Sequence, residues 1–362
     1  MKRKLLIPEG TKDYLQEEAY IQRKLIGELL EEFSLWGYEE IKTPMIEKWD
    51  IVKKKDISET HYFTLVDTTG DLLVLRPEIT APAARVVATH FRDHVTYPLR
   101  LSYAGEVFSQ KGLKKGERRQ KTQVGIELIG ADSISSDCEV LLMALESMKS
   151  NEIKGYSLGI GHMDITEGLL REIFPDEETR TDVENLMMNK DLVSLDAMLE
   201  GEGKEKLLAL VATNGGLEFI RQIRGFSDKP AFQAAVQRLE KIYEILGGLG
   251  FADRIFFDFS ILGDFRYYTG LLFEGYSNGL GMPILRGGRY DNLIEEYYRK
   301  EPAVGFALSA DLYMATMERK IRLPEVQAVV AEEDILKRFR EAETLRLSGK
   351  KALIQLEEEG NE

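Results

Sequence analysis

The sequence contains very little cysteine, little histidine and no long apolar run. Cys138 is the single cysteine among 362 residues, which excludes a disulfide framework or a cysteine-built metal site within one chain. The histidines show no metal-ligand spacing, so we expect no metal site, no metal cofactor and no histidine base. They are His61, His90, His94 and His162. The apolar runs are too short to span a bilayer, so we expect no membrane partner.

Basic residues are outnumbered by acidic ones, with 48 Lys and Arg against 62 Asp and Glu. The net charge is −14 and the sequence pI is about 5.1, which disfavours a grip on nucleic acid by the whole molecule, so any anion site must be local. The start, "MKRKLLIPEG", is basic but lacks the apolar stretch and cleavage site of a signal peptide. Together with the single cysteine, this predicts a cytoplasmic protein.

A local cluster of basic residues stands out in one hairpin. Residues 105–130 read "GEVFSQKGLKKGERRQKTQVGIELIG", two alternating apolar runs around a cationic loop. The loop carries Lys111, Lys114, Lys115, Arg118, Arg119 and Lys121. A charge run is usually a solvated turn. We give that interpretation equal weight with an anion-binding one.

Periodicity divides the rest of the chain into helices and strands. It predicts a helix from Gln16 to Leu35, further helices over residues 80–89 and 134–148, and a hairpin within "HYFTLVDTTGDLLVLRPE". "YEEIKTPMIEKW" is typical of a strand with Pro44 at an edge or bulge. Strands return in "RIFFDFSIL", "YYTGLLFEGYS" and "GMPILRGG", and we expect a closing helix from near Val304.

This order of elements predicts an α+β fold in which an antiparallel sheet is flanked by helices and interrupted by an all-helical insertion. We expect a core of residues 1–163 and 251–322, an insertion at 164–250 and a tail at 323–362. The tail is typical of one strand–helix–strand unit, which cannot bury both faces of a parallel pair alone. It must lean on the body or on a partner, or be poorly ordered.

Four segments resemble histidyl-tRNA synthetase: "IPEGTKDYLQEEA", "LVLRPEITAPAARV", the cationic hairpin and "GLLFEGY…ILRGGRYDNLI". The resemblance covers roughly residues 5 to 320, and its most specific feature is the order "LRPEIT", "QVGIE", "RYYTG", "GGRYDNL". It implies a class II aminoacyl-tRNA synthetase-like fold, with a six- or seven-stranded antiparallel sheet and a homodimer organised around Pro44.

The chain departs from that family where the family binds phosphate. The resemblance implies an arginine where this sequence has Ser109, another at Gly263, and an adenine-stacking arginine at Leu312, with a glycine at Ser309. Cations placed where charge develops are central to adenylate chemistry. We therefore expect no amino-acid activation. Arg119 matches a nucleotide-contacting arginine and could keep a residual anion contact.

The positions that bind histidine in the family are retained. The resemblance implies that Glu78, Thr80 and Gln123 hold the α-ammonium, while Glu127 and Tyr268 hold the imidazole. The chemistry is sensible because an ammonium has donors only, and an imidazole N–H is well served by a carboxylate.

Local alternatives exist for several of these residues. Glu78 could cap the following helix, a role compatible with ligand binding. Glu127 could face solvent, but strand alternation puts Gln123, Gly125 and Glu127 on one face, where a glycine suits a ligand close to the backbone. Arg289 could be structural, bound to a carboxylate within the fold.

One family of synthetase-like proteins fits both the losses and the retained positions: the regulatory subunits of ATP phosphoribosyltransferase. The resemblance implies a non-catalytic subunit for the first step of L-histidine biosynthesis, with a short-form catalytic subunit as partner and histidine as feedback effector. It implies no cofactor. The alternative is a truncated ligase that still activates an amino acid with ATP. A tRNA-binding module is disfavoured by the net charge and the short tail.

Overall fold

The structure is a computed structural model that describes residues 6–53, 61–91, 98–110, 118–199, 201–262 and 268–356. The helices are α1 (Gln16–Leu35), α2 (Trp49–Val52), α3 (Thr80–His90), α4 (Ile134–Ser150), α5 (Met163–Ile173), α6 (Glu177–Met188), α7 (Leu192–Met198), α8 (Gly201–Val211), α9 (Leu217–Ile223), α10 (Pro230–Gly248), α11 (Ala310–Thr316) and α12 (Ile335–Leu347).

The strands are β1 (Glu39–Glu40), β2 (Ile46–Lys48), β3 (Thr64–Val66), β4 (Leu72–Leu75), β5 (Leu99–Phe108), β6 (Gln120–Ile129), β7 (Ser157–His162), β8 (Asn214–Gly215), β9 (Ile255–Asp258), β10 (Leu271–Tyr276), β11 (Leu285–Arg289), β12 (Ala303–Ser309), β13 (Ala328–Val330) and β14 (Ala352–Ile354).

The main sheet has the strand order β1-β5-β6-β12-β11-β10-β7-β9-β8 in the described part of the chain. The central run from β5 to β7 is antiparallel throughout, as the resemblance implied. The sheet as a whole is mixed, because β1 pairs with β5 and β9 with β7 in parallel. Strands β2, β4 and β3 form a separate three-stranded antiparallel sheet.

The two faces of the main sheet are covered differently. On one face, Phe33 from α1 packs edge-on against Phe306 of β12, with ring centroids 5.8 Å apart. On the other face, Ala84 and Val87 of α3 form a buried cluster with Leu101 of β5. This second face, which we call the α3 face, is the one that carries Gln123, Gly125 and Glu127, because cross-strand partners share a face and Leu101 pairs with Glu127.

Two predicted elements differ from the structure. The expected closing helix from near Val304 is wrong: residues 303–309 form strand β12, and α11 begins only at Ala310. A strand buried on both faces has a continuous apolar run, which periodicity cannot distinguish from a buried helix. The expected strand over "YEEIKTPMIEKW" is split into β1 and β2, with Pro44 in the connection between them rather than in a strand.

The stretch predicted to be all-helical contains the helices α5 to α10, but it also contains one short strand. The two-residue strand β8 pairs with β9 at the end of the main sheet. So short a strand leaves no periodic signal in the sequence.

The chain folds into two compact units, residues 1–13 with 22–319 and residues 14–21 with 320–362. The second unit contains the expected strand–helix–strand arrangement, in which β13 and β14 pair in parallel. Val330 and Ala352 are buried there with Ala342 of α12, whereas Val329 and Leu353 are exposed. One face of this small sheet is therefore covered and the other open, as expected for a single such unit.

Arg289 is structural. It is 4% exposed and donates to Asp137, Asp291, Ser136 and the carbonyl of Ala131. This confirms the interpretation that it binds a carboxylate within the fold.

Asp137 is the centre of that network. It is fully buried near the start of α4 and also accepts a 2.6 Å hydrogen bond from Arg238 of α10. One carboxylate thus ties the last helix of the predicted insertion to α4 and to β11.

We predict that Asp137→Asn destabilises the chain by about 3–5 kcal/mol, because it leaves two guanidinium groups without their buried counter-charge. Denaturant unfolding of wild type and variant measures this. The matched control is Asp132→Asn, since Asp132 also accepts from Arg238 but its side chain is 59% exposed. That change should cost about 1 kcal/mol or less. Equal losses for the two variants would contradict this account.

Candidate functional site

The α3 face places the expected site residues in rows across neighbouring strands. In register, Gly105 and Ser309 flank Gln123, and Leu101 and Gly305 flank Glu127. The pairing therefore makes a shallow floor between β5 and β12, with polar side chains at both ends.

Glu127 lies buried in this floor and is surrounded by hydroxyl groups. It is 1% exposed. Tyr103 of β5 donates to its Oε1 at 3.0 Å, and Tyr290, just after β11, donates to its Oε2. The Thr80 hydroxyl at the start of α3 also hydrogen-bonds it. The possibility that Glu127 faces solvent is therefore excluded.

Two glycines, Gly305 and Gly125, leave room for this cluster because they have no side chain. A Cβ at Gly305 would overlap Oε2 of Glu127, and a Cβ at Gly125 would come within 2.8 Å of the Tyr103 ring. Gly125 thus makes space for a tyrosine of the protein itself, which differs from the expectation that it lets a ligand approach the backbone.

Glu78 caps the helix that supplies Thr80. Its carboxylate accepts the backbone N–H groups of Thr80 at 2.8 Å and Ala81 at 3.1 Å. The capping role is therefore present, and Glu78 is 3% exposed. Its charge is near enough to Glu127 to raise the pKa of that residue. Two acidic side chains and a threonine hydroxyl thus converge at the N-terminus of α3.

The electrostatic state of Glu127 follows from this burial. Loss of solvent raises the pKa of its carboxyl to about 8, opposed by the hydroxyls of Tyr290, Thr80 and Tyr103 and reinforced by the charge of Glu78. Burial likewise raises the pKa of Tyr103 and Tyr290 well above the ordinary tyrosine value. The residues that shift the pKa of Glu127 most are Tyr290, Thr80, Tyr103 and Glu78, and none of these four is a cation. A ligand with a positive group would supply one.

Tyr268 lies beside this cluster. A Cβ at Gly288 would come within 2.7 Å of its ring, and the ring packs against the group of buried residues that includes Tyr290. The charge of Tyr268 also contributes to the raised pKa of Tyr290. Gly263 lies outside the described residues, so the expectation about that position is not tested.

Gln123 and Arg119 carry buried polar atoms that have no hydrogen-bond partner. These atoms are Oε1 of Gln123 and Nε of Arg119. In the described part of the chain, Arg319 Nε is the other side-chain atom of this kind. Buried polar groups are nearly always paired, and unpaired ones call for an explanation such as an absent ligand.

Polar side chains next to Leu312, where the resemblance implies an arginine, make contacts within the fold. Ser309 caps α11, accepting the Leu312 N–H at 3.4 Å. Asp311 beside them pairs with Arg118 at 3.1 Å. Arg286 on the α3 face pairs with Glu274 at 2.8 Å. Two of the cations around the site are thus engaged by carboxylates of the protein itself.

Sequence reasoning brought together Glu78, Thr80, Glu127 and Tyr268 but missed Tyr103 and Tyr290. Tyr103 shares the period-2 face of β5 with Gly105, and Tyr290 stands in the "GGRYD" segment. These two patterns are visible in the sequence. Neither predicts that both hydroxyls contact Glu127, because such contacts depend on strand register.

Two negative findings bound the site. In residues covered by the structure, no group of three or more His, Cys, Asp or Glu side chains is arranged to hold a metal ion. None of the described helices is long and apolar enough to cross a membrane.

Comparison with known proteins assigns the family. The family model for histidyl-tRNA synthetase matches residues 10–312. An ATP phosphoribosyltransferase regulatory subunit from Moorella thermoacetica is 36% identical over 95% of this chain and 90% of its own length. One from Bacillus licheniformis is 34% identical over 96% of this chain and 90% of its own. This chain belongs to the ATP phosphoribosyltransferase regulatory subunit family.

Solved structures agree with this family and with the expected fold. A crystal structure from Bacillus halodurans, described as an ATP phosphoribosyltransferase regulatory subunit/histidyl-tRNA synthetase, has a TM-score of 0.88 at 29% identity and covers 98% of this chain and 93% of that one. Histidyl-tRNA synthetase from Nostoc sp. PCC 7120 has a TM-score of 0.81 at 20% identity, covering 98% and 87%, which supports the fold alone. The class II synthetase-like fold is confirmed.

We predict that the stability of the ligand-free chain falls between pH 6 and pH 9 and that Glu127→Gln reduces this fall by about 1 kcal/mol or more. The folded pKa is raised to about 8, so the protonated carboxyl stabilises the fold fully below the unfolded value near 4.5. That contribution is lost as the pH rises through 8.

Unfolding free energies at the two pH values measure this effect. Glu295→Gln is the matched control, because Glu295 is exposed and its removal should leave the pH dependence as in wild type. The same pH dependence in wild type and Glu127→Gln would show that Glu127 is not the titrating group.

Proposed function

We propose that this chain is the non-catalytic regulatory subunit of ATP phosphoribosyltransferase, acting in the cytoplasm. It is required with a short-form catalytic subunit for the first step of L-histidine biosynthesis, and it carries feedback inhibition by histidine. The observation that carries the proposal is the buried Glu127 with its ring of hydroxyls, next to Glu78 and Thr80. It supports an amino-acid pocket in a chain that has Ser109 and Leu312 where the resemblance implies arginines for activating the amino acid.

The pocket chemistry matches histidine group by group. An α-ammonium has three donors and no acceptor, and Glu78, Thr80 and Gln123 offer carboxylate, hydroxyl and amide oxygens. The unpaired Oε1 of Gln123 is one such acceptor. Glu127 and Tyr268 would hold the imidazole, the carboxylate accepting a ring N–H and the phenol complementing the second nitrogen.

Amino-acid activation needs more than this pocket. Adenylate formation depends on cations held where negative charge develops, and losing one such donor costs on the order of 2.7–4 kcal/mol of transition-state stabilisation. Ser109 and Leu312 supply no charge at two of the expected places. Arg118 and Arg286 are held by Asp311 and Glu274. These observations disfavour the alternative of a truncated ligase, and the net charge of −14 disfavours a tRNA partner.

Histidine bound here can regulate a partner only through differential affinity. If histidine binds more tightly to the inhibited arrangement of the complex, it stabilises that arrangement by the difference. A coupling free energy of about 1–3 kcal/mol gives a several-fold to hundredfold response.

We predict the outcome of reconstitution with the short catalytic subunit from the same source. This chain raises phosphoribosyltransferase activity, and histidine inhibits the complex. Glu127→Gln raises the inhibitory histidine concentration about 10- to 100-fold without dissociating the complex, because one hydrogen bond to a charged group is lost. Activity is measured across histidine concentrations, and complex formation by size-exclusion chromatography.

Glu295→Gln serves again as the matched control, and histidine should inhibit its complex at the same concentration as the wild-type complex. A catalytic subunit that neither binds this chain nor changes activity with it would overturn the proposal. Histidine-dependent pyrophosphate exchange at a synthetase-like rate would favour the ligase instead.

We further propose that the chain forms a homodimer through the Pro44 region. Pro44 is exposed, and Met45 and Ile46 beside it are 51% and 47% exposed. Arg76 fixes this segment, donating to the carbonyls of Thr43 at 2.8 Å and Pro44 at 3.3 Å. A rigid, exposed apolar stretch of this kind is typical of an interface.

A neighbouring cavity of about 360 Å³ adds to this surface. It is lined by apolar residues such as Ile26 and Ile41 together with Met45, so a second copy of the chain has concave as well as flat surface to fill.

We predict that the purified wild-type chain has the mass of two chains and that Met45→Glu weakens the dimer at least about tenfold by burying an unpaired charge. Analytical ultracentrifugation over a concentration series measures this. Val193→Glu is the control, because Val193 is 82% exposed on α7 and away from this segment in sequence. A wild-type mass of one chain at all concentrations contradicts the dimer.

A further inference from the structure

The proposed pocket leaves one group of its ligand without a partner. Glu78, Thr80, Gln123 and Glu127 offer acceptors for an ammonium and a ring N–H. A free amino acid also has a carboxylate, and two acidic neighbours would repel it. A ligand of this class therefore needs a cation on the same face of the sheet.

Arg119 lies on that face. It directly precedes β6, and strand alternation puts residues 119, 121, 123, 125 and 127 on one side. Its carbonyl accepts the N–H of Ser109 at 2.8 Å, continuing the β5–β6 ladder by one pair beyond Phe108 and Gln120. Cross-strand partners have Cβ atoms about 4.5–5.5 Å apart, so Arg119 lies beside the side chain of Ser109.

The backbone and Cγ of Arg119 are fixed by contacts with Gly10, but its Nε has no hydrogen-bond partner. Its backbone N–H donates to the carbonyl of Gly10 at 2.8 Å, and a Cβ at Gly10 would come within 2.8 Å of the Arg119 Cγ. Its Nε is buried without a partner. By contrast, Arg118 and Arg286 are paired with carboxylates.

Arg119 and Gln123 together match the two charged groups on the α-carbon of an amino acid. They present an unpaired donor and an unpaired acceptor on one strand face. Four residues separate them, about 13 Å along the strand, and their long side chains narrow that gap. We propose that Arg119 binds the α-carboxylate of the effector, so that this site recognises a free α-amino acid rather than an amine. The inference rests on the proposed histidine pocket and deepens it.

The test combines one variant with two ligands. Arg119→Gln should weaken L-histidine binding about 10- to 100-fold, because a charge-assisted hydrogen bond is lost. It should leave the binding of L-histidinol, which has a hydroxyl in place of the carboxylate, within about twofold of wild type. Calorimetric titration of each ligand into each full-length protein measures the four affinities.

Lys121→Gln is the matched control, since Lys121 has the same charge and lies on the same face between Arg119 and Gln123, with an interaction of its own. It should alter the two affinities equally or not at all. Equal weakening of both ligands by Arg119→Gln, or selective weakening by Lys121→Gln alone, overturns the inference while leaving the pocket intact. Absence of histidine binding to wild type would instead overturn the proposed function.

Discussion

A carboxyl group buried in the middle of the sheet is the constraint on which this structure depends. Glu127 is 1% exposed and has three hydroxyl groups around it, and the charged residue that shifts its pKa most is another acid, Glu78. Burying such a group is costly unless it is protonated, hydrogen-bonded or paired with a charge. Glycine at 305, tyrosines at 103 and 290 and the N-terminus of α3 are all arranged to accommodate it. A fold without a use for this site would be more stable with an apolar residue there.

The chain has the side chains that the resemblance implies for binding histidine, but it lacks arginines that the resemblance implies for catalysis. The acidic and hydroxyl groups that suit an ammonium and an imidazole are present around Glu127. Elsewhere, Ser109 and Leu312 stand where the resemblance implies arginines, Ser309 caps α11 and Asp311 engages Arg118. Adenylate chemistry needs both sets of side chains, whereas binding of the amino acid needs the first set and one anchor for its carboxylate. The arrangement favours a sensor over a ligase.

Much of this was predictable from sequence because local patterns determine it. Alternation along β6 placed Gln123 and Glu127 on one face, and the capping pattern around Glu78 was also visible. Tyr103 and Tyr290 were not, because they reach Glu127 from positions 24 and 163 residues away. Contacts of that range depend on register, which no local pattern encodes. The prediction of a helix from near Val304 is wrong for a related reason. Burial of β12 on both faces removes the alternation that identifies a strand.

Calorimetric titration of the purified wild-type chain with free L-histidine, and separately with ATP, tests the central claim most directly. The account predicts saturable binding of one histidine per chain and no heat of binding from ATP, because the side chains implied for binding histidine are present and arginines implied for catalysis are not. Binding of ATP without histidine, or of neither ligand, would contradict it.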